Sequence, residues 1–153
     1  MEYEIVRLEE KKAAGIKART NNMSPDMGAV IGGLWGRFYS EGIYDAIPGK
    51  TNDKVLGIYT EYDGDAASDY TIVVACEVDG KEEPVRDTVL VTIPAGNYAR
   101  FIAKGELHEA VARCWQEIWS MDLPRTFVCD FEEYQNDGMD ETEIHIYVGL
   151  KES

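Results

Sequence analysis

The sequence predicts an α+β domain made of duplicated β-α-β-β units, forming an antiparallel sheet with two main helices and a ligand cleft between the halves. Two observations carry that expectation. Leu34-Trp35-x-x-Phe38-Tyr39-Ser40 lies over Cys114-Trp115-x-x-Ile118-Trp119-Ser120 at a constant spacing of 80 residues, and each segment has the three- and four-residue apolar intervals of an amphipathic helix. After each helix come two runs rich in β-branched and aromatic residues. There Tyr59-Thr60-Glu61-Tyr62 lies over Phe131-Glu132-Glu133-Tyr134 at a spacing of 72, and Ile72 over Ile144 and Val74 over Ile146 keep it. Two units, each with one helix to cover its strands, are expected to pack side by side, and a crevice between them is a natural pocket.

The elements follow in order. Glu4 to Leu8 reads as a first strand, continued by Ala14 to Thr20 beyond the charged Glu9 to Lys12 patch. Ser24 is placed to cap a helix that starts at Pro25, with Asp26 in its first turn. Met27, Val30, Ile31, Leu34, Trp35 and Phe38 form its apolar stripe, and it ends near Gly42. Pro48 to Asp53 reads as a loop. Val55 to Tyr62 and Tyr70 to Val78 are strands joined around Asp63-Gly64-Asp65. Past the charged Asp79 to Asp87 link the order repeats, with Thr88 to Ile93, a kink, then Ala95 to Ile102. Leu107, Ala110, Val111, Cys114, Ile118 and Met121 mark the second helix. Thr126 to Tyr134 and Thr142 to Leu150 form the second hairpin.

Composition narrows the function classes. The 153 residues suit one small-molecule-binding domain spanning 1–153, with internal copies at 1–80 and 88–150, and 44% hydrophobic content is that of a packed chain. A formal net charge of -14 argues against direct nucleic-acid binding, which needs clustered Lys and Arg. Cys76, Cys114 and Cys129 lie in apolar runs without a C-x-x-C, as reduced core residues do. No metal site and no cofactor are expected, since His108 and His145 lack ligand spacing and no phosphate-cradling glycine loop is present. Without a signal-peptide core or a membrane-length apolar run, the expectation is a cytoplasmic protein, monomer or homodimer, with no membrane role.

The strand Phe127 to Tyr134 draws most attention. Alternation puts Phe127, Cys129, Phe131 and Glu133 on one face and Val128, Asp130, Glu132 and Tyr134 on the other. Two acids on so apolar a strand have two readings: a solvated face, which accounts for Asp130 outright, or a Glu132 that lines an aromatic cavity and awaits a cation. On the first helix Trp35 and Tyr39 flank the apolar stripe, and on the second Trp115 and Trp119 hold the matching flank beside His108. Gly28, Gly32, Gly33 and Gly36 cost the first helix roughly 1 kcal/mol each relative to alanine. Close packing against the other half and space for a ligand are the two competing uses of that room. On the last strand His145 and Tyr147 share the face opposite Ile144, Ile146 and Val148. If these flanks face one crevice, Glu132, Trp35, Tyr39, Trp115, Trp119, Tyr134, Tyr147 and His145 make a site for a lipophilic cation, held by stacking, cation–π contact and a poorly solvated carboxylate.

These residues, with the Ile93-Pro94-Ala95-Gly96-Asn97-Tyr98 turn and the Glu143-Ile144-His145-Ile146-Tyr147-Val148 strand, resemble the gyrase-inhibitor-like domain, which is also the effector-binding domain of AraC-type and multidrug-sensing MerR-type regulators. The resemblance spans nearly the whole chain. It implies a stand-alone multidrug-binding domain whose cleft takes amphipathic, often cationic, molecules, with Glu132 as the buried acid of the F-E-x-Y strand. The resemblance implies a link to transcription regulation, although the regulators' separate helix-turn-helix segment has no counterpart in these two units. Two alternatives stand beside binding. One is hydrolysis of electrophilic natural products in the same cleft, although no catalytic motif is present and no catalytic residue is assigned. The other is an inhibitor acting on a protein partner.

Overall fold

The computed structural model describes residues 2–21, 25–64, 68–81, 83, 88–135 and 141–151, apart from the side chains of Asp53 and His108. Its elements are β1 (Glu4–Leu8), β2 (Lys11–Thr20), α1 (Met27–Ser40), α2 (Ile43–Ala46), β3 (Lys50–Thr60), β4 (Tyr70–Val78), β5 (Val89–Ile93), β6 (Gly96–Gly105), α3 (Leu107–Ser120), β7 (Arg125–Tyr134) and β8 (Thr142–Leu150). The strands form one antiparallel sheet of eight in the order β1-β6-β8-β7-β3-β4-β2-β5. The order is the same from either edge to the middle, with β6-β8-β7 answering β2-β4-β3. Together with the helices this is the expected α+β architecture.

One pairing departs from the sequence reading. β2 does not continue β1 beside it: β1 pairs with β6 at one edge, and β2 pairs with β5 at the other. Leu8 and Lys11 are three steps apart, at most about 11 Å of extended chain. So short a link can join opposite edges only if the sheet curls, and the residues packed inside the curl show that it does. Val6, Leu8 and Tyr98 from one edge and Ala13, Val91 and Ile93 from the other meet Leu56, Ile58 and Phe131 from the middle.

The other face carries the helices. α1 packs Leu34 and Phe38 on Ile72, Val74 and Cys76, while α3 packs Cys114 and Ile118 on Ile144, Ile146 and Val148. Strand alternation therefore sorts β4 and β8 cleanly between the faces. Elsewhere bulges intervene. β3 begins at Lys50, inside the segment expected to be a loop, and shifts register before Val55. β7 shifts between Arg125 and Asp130, with Phe127 held at φ 53. The expected face of Phe127 is lost at that point. Its ring meets Tyr62 at 5.9 Å and lies under the Arg125 guanidinium at 4.4 Å.

Asp130 is corrected as well: it is fully buried, not solvated. Its carboxylate accepts from Arg125 at 2.7 Å, from the Tyr62 hydroxyl at 2.6 Å and from the Gly149 amide at 2.8 Å. A buried charge survives only when paired and hydrogen-bonded in this way. The proposed cap Ser24 and the loop residues Asp65 and 136–138 lie outside the described residues. α1 starts at Met27 after Asp26 rather than at Pro25. No helix among the described residues is long and apolar enough to cross a membrane.

Candidate functional site

A cavity of about 1230 Å³ lies between α1, α3 and the helix-side face of the central strands. α1 contributes Trp35 and Tyr39, with Gly28 and Gly32 beside them, and α3 contributes Trp115 and Trp119. These pairs sit one helical turn apart, so both members reach the same wall. A Cβ at Gly28 or Gly32 would meet nothing within 4 Å, so these glycines border open space rather than a packed backbone. Tyr39 and Trp119 are 57% and 47% exposed at the outer end, while Trp115 is only 9% exposed.

The rings cross between the halves. Trp35 meets Tyr134 of β7 edge to face at 5.0 Å and 70°, and Trp115 meets Tyr59 of β3 at 5.4 Å and 73°. Trp35 stands to Tyr134 as Trp115 stands to Tyr59, which makes Tyr59 and Tyr134 counterparts, 75 residues apart. The spacing of 72 inferred for this strand pair is therefore corrected. Tyr59 faces the cavity, whereas Phe131, its expected counterpart, lies in the curl on the opposite side.

Glu132 lies between the two tyrosines and is 1% exposed. Its Oε2 accepts from Trp115 Nε1 at 2.6 Å and from the Tyr59 hydroxyl at 2.9 Å, and its Oε1 accepts from the Tyr134 hydroxyl at 2.8 Å. Burial pushes its carboxyl above the usual range, while the bonds from Trp115, Tyr134 and Tyr59 pull the other way. Burial and then the Glu132 charge raise the Tyr59 and Tyr134 hydroxyls well above their ordinary values, so both remain neutral donors. Tyr70, next to Tyr59 at 5.5 Å, is pushed up to about 12 by burial and by Glu132.

Six of the eight residues named from sequence are thus brought together: Glu132, Trp35, Tyr39, Trp115, Trp119 and Tyr134 all line the cavity. Tyr147 and His145 do not. On β8 they alternate with Ile144, Ile146 and Val148, which pack under α3, so they take the other face of the sheet. Tyr147 stacks on Phe131 at 4.6 Å inside the curl, and His145 Nε2 pairs with Glu143 at 2.7 Å. The error lay in assigning a face to β8 without its helix, since alternation gives two faces but not which one is covered. Sequence reasoning missed Tyr59, Tyr62, Tyr70 and Arg125, which also line the cavity. The signal for Tyr59 is its aromatic β-strand context, hidden by the match of Tyr59–Tyr62 to Phe131–Tyr134, which is three residues out of register.

A curled, pseudo-symmetric sheet with two helices enclosing an aromatic cavity defines an effector-binding, that is ligand-binding, domain. The family model of integron-associated effector-binding proteins matches residues 4–150, and the chain belongs to that family. Among solved structures, an integron cassette protein from Vibrio cholerae is 27% identical with a TM-score of 0.79, covering 97% of this chain and 95% of its own. A structure of SAV2435 bound to tetraphenylphosphonium is 22% identical with a TM-score of 0.80 over 99% and 94%. A protein from Staphylococcus aureus is 22% identical with a TM-score of 0.73 over 97% and 99%. No curated protein sequence matches the chain.

Proposed function

We propose that the protein binds lipophilic cations in this cavity, with Glu132 as the countercharge and the rings of Trp35, Trp115, Tyr59 and Tyr134 as the walls. The observation that carries the reading is the set of partners around Glu132: a carboxylate 1% exposed is bonded by one indole and two phenols, all neutral. Among the described residues such a group is a buried acid without a paired charge, which is costly unless it is protonated or a cation arrives. A cationic guest removes that cost, and a neutral guest of the same shape does not. Ring burial, at about 25 cal/mol per Å² of apolar surface, supplies affinity to both kinds of guest. The carboxylate supplies the difference between them. The complex of SAV2435 with tetraphenylphosphonium gives a guest of the right chemistry to try first.

The test is a titration with tetraphenylphosphonium and with triphenylphosphine oxide, a neutral molecule of similar bulk, followed by tryptophan fluorescence. All three tryptophans of the chain line the cavity and report on its occupancy. The cation is expected to bind at least about tenfold more tightly, corresponding to roughly 1.4 kcal/mol. Equal affinities would remove Glu132 from the recognition of charge.

A further inference from the structure

In the floor of the cavity the Glu132 carboxylate lies directly against a glycine. Gly57 of β3 is the cross-strand partner of Glu132. A Cβ built on Gly57 would come 2.9 Å from Glu132 Oε1, 3.8 Å from its carboxyl carbon and 3.5 Å from Trp35 Cζ2. The first distance is shorter than a real Cβ contact, so the carboxylate would have to move. It cannot move without loss, because both of its oxygens are already held, one by Tyr134 and the other by Tyr59 and Trp115. Backbone conformation does not explain the glycine, since Gly57 is not among the residues with positive φ. Glycine weakens a strand interior and commonly marks a close approach. Here the approaching group is an acid from the other half of the sheet. With Tyr59 and Tyr134 as counterparts, Gly57 and Glu132 are counterparts by the same spacing of 75 residues. One half supplies the carboxylate, and the other leaves its equivalent position empty to seat it.

We propose that Gly57 is the positioning residue that holds the Glu132 carboxylate down in the floor, desolvated and bonded to its three donors, and so sets the discrimination between cationic and neutral guests. This rests on the reading of the cavity as a cation site. A methyl group at position 57 lifts the carboxylate off Tyr134 and toward the guest space, where water reaches it.

The experiment has two independent arms. In the first, Gly57→Ala, Glu132→Ala and the double variant are melted without ligand. Gly57→Ala is expected to lower Tm in the parent and to lower it by less than half as much, or not at all, where the carboxylate is gone. An equal loss in both backgrounds, or a failure of both to fold, overturns the positioning role. A Gly57→Ala single variant that does not fold beside a double variant that does supports it. In the second arm, Gly57→Ala is expected to weaken tetraphenylphosphonium binding about tenfold, with triphenylphosphine oxide changed by less than about threefold. The pH midpoint of cation binding should fall, because a hydrated carboxylate titrates lower. Coupled melting with unchanged cation binding would leave the seat in place and refute the cation reading; equal losses for both guests would refute the discrimination assigned to Gly57.

Discussion

Glu132→Gln separates charge from shape, because the existing bonds tell how glutamine will sit. Trp115 Nε1 can only donate, and it shares Oε2 with the Tyr59 hydroxyl. The amide oxygen of glutamine therefore takes that side, and its NH₂ faces Tyr134, whose hydroxyl can rotate to accept. The network survives and only the negative charge is lost. Removing a charged acceptor from a buried site costs a cationic guest roughly 1 to 3 kcal/mol. That is about 5- to 150-fold in Kd, at a factor of ten per 1.4 kcal/mol. Calorimetric titration at neutral pH with tetraphenylphosphonium measures it, and triphenylphosphine oxide should lose less than about threefold. Glu133→Gln is the control, since Glu133 faces away from the cavity and bonds the Gln135 amide at 2.8 Å. If Glu132→Gln binds the cation as tightly as the parent, or if Glu133→Gln is the damaging change, the assignment of Glu132 as countercharge fails.

Three further predictions follow from the buried acids. Because burial raises the free-site pKa of Glu132 and a bound cation lowers it, cation binding releases a proton below the free-site value. Affinity for tetraphenylphosphonium should accordingly rise with pH up to that value and then level off, while triphenylphosphine oxide shows no such rise; a flat cation profile from acid to neutral pH would contradict this. The same shift has a consequence for folding. Ionisation is disfavoured in the folded state, so this carboxyl's contribution to stability falls as pH rises from its ordinary value through its raised one. Urea midpoints should therefore show Glu132→Gln gaining on the parent as pH rises through that window, and a constant difference would argue against the raised pKa. Asp130→Ala strands the Arg125 guanidinium, 7% exposed on its side chain and paired at 2.7 Å, and should cost about 3 to 5 kcal/mol in urea unfolding. A loss under about 1 kcal/mol would mean that water reaches this pair and that the cavity floor is wetter than its burial implies.

What the sequence made legible, and what it hid, divides along physical lines. Helix faces were legible because three- and four-residue periodicity is internal to a helix, so Trp35 and Tyr39 fall on one flank of the first helix and Trp115 and Trp119 on the matching flank of the second without knowledge of what lies opposite. Glu132 was legible as an acid out of keeping with an apolar strand. Strands gave less. Alternation shows that His145 and Tyr147 share a face but does not say which face the helix covers. A bulge with Phe127 at φ 53 leaves no mark in the residue pattern. Long-range pairing was least legible of all. Nothing local to Glu4–Leu8 indicates that it joins β6, since that choice depends on the curl of the whole sheet.

The curl and the crossed rings together explain why the site needs both halves. Glu132 belongs to the second unit, yet one of its three donors, Tyr59, comes from the first, as does the glycine beneath it. Trp35 of the first helix packs on Tyr134 of the second unit, and Trp115 of the second helix on Tyr59 of the first. Among the described residues neither Trp35 nor Trp115 meets an aromatic ring on a strand of its own half, and the second half alone has an acid without its full set of donors. A symmetric floor would place two carboxylates across one strand pair, where their repulsion in a poorly hydrated site would protonate at least one of them. Glycine at the position across from Glu132 leaves a single acid between near-symmetric walls. Under the proposed reading, such a site has two similar apolar arms and one shared acid, and the guests it is proposed to take are those whose bulk is spread on either side of a central positive charge.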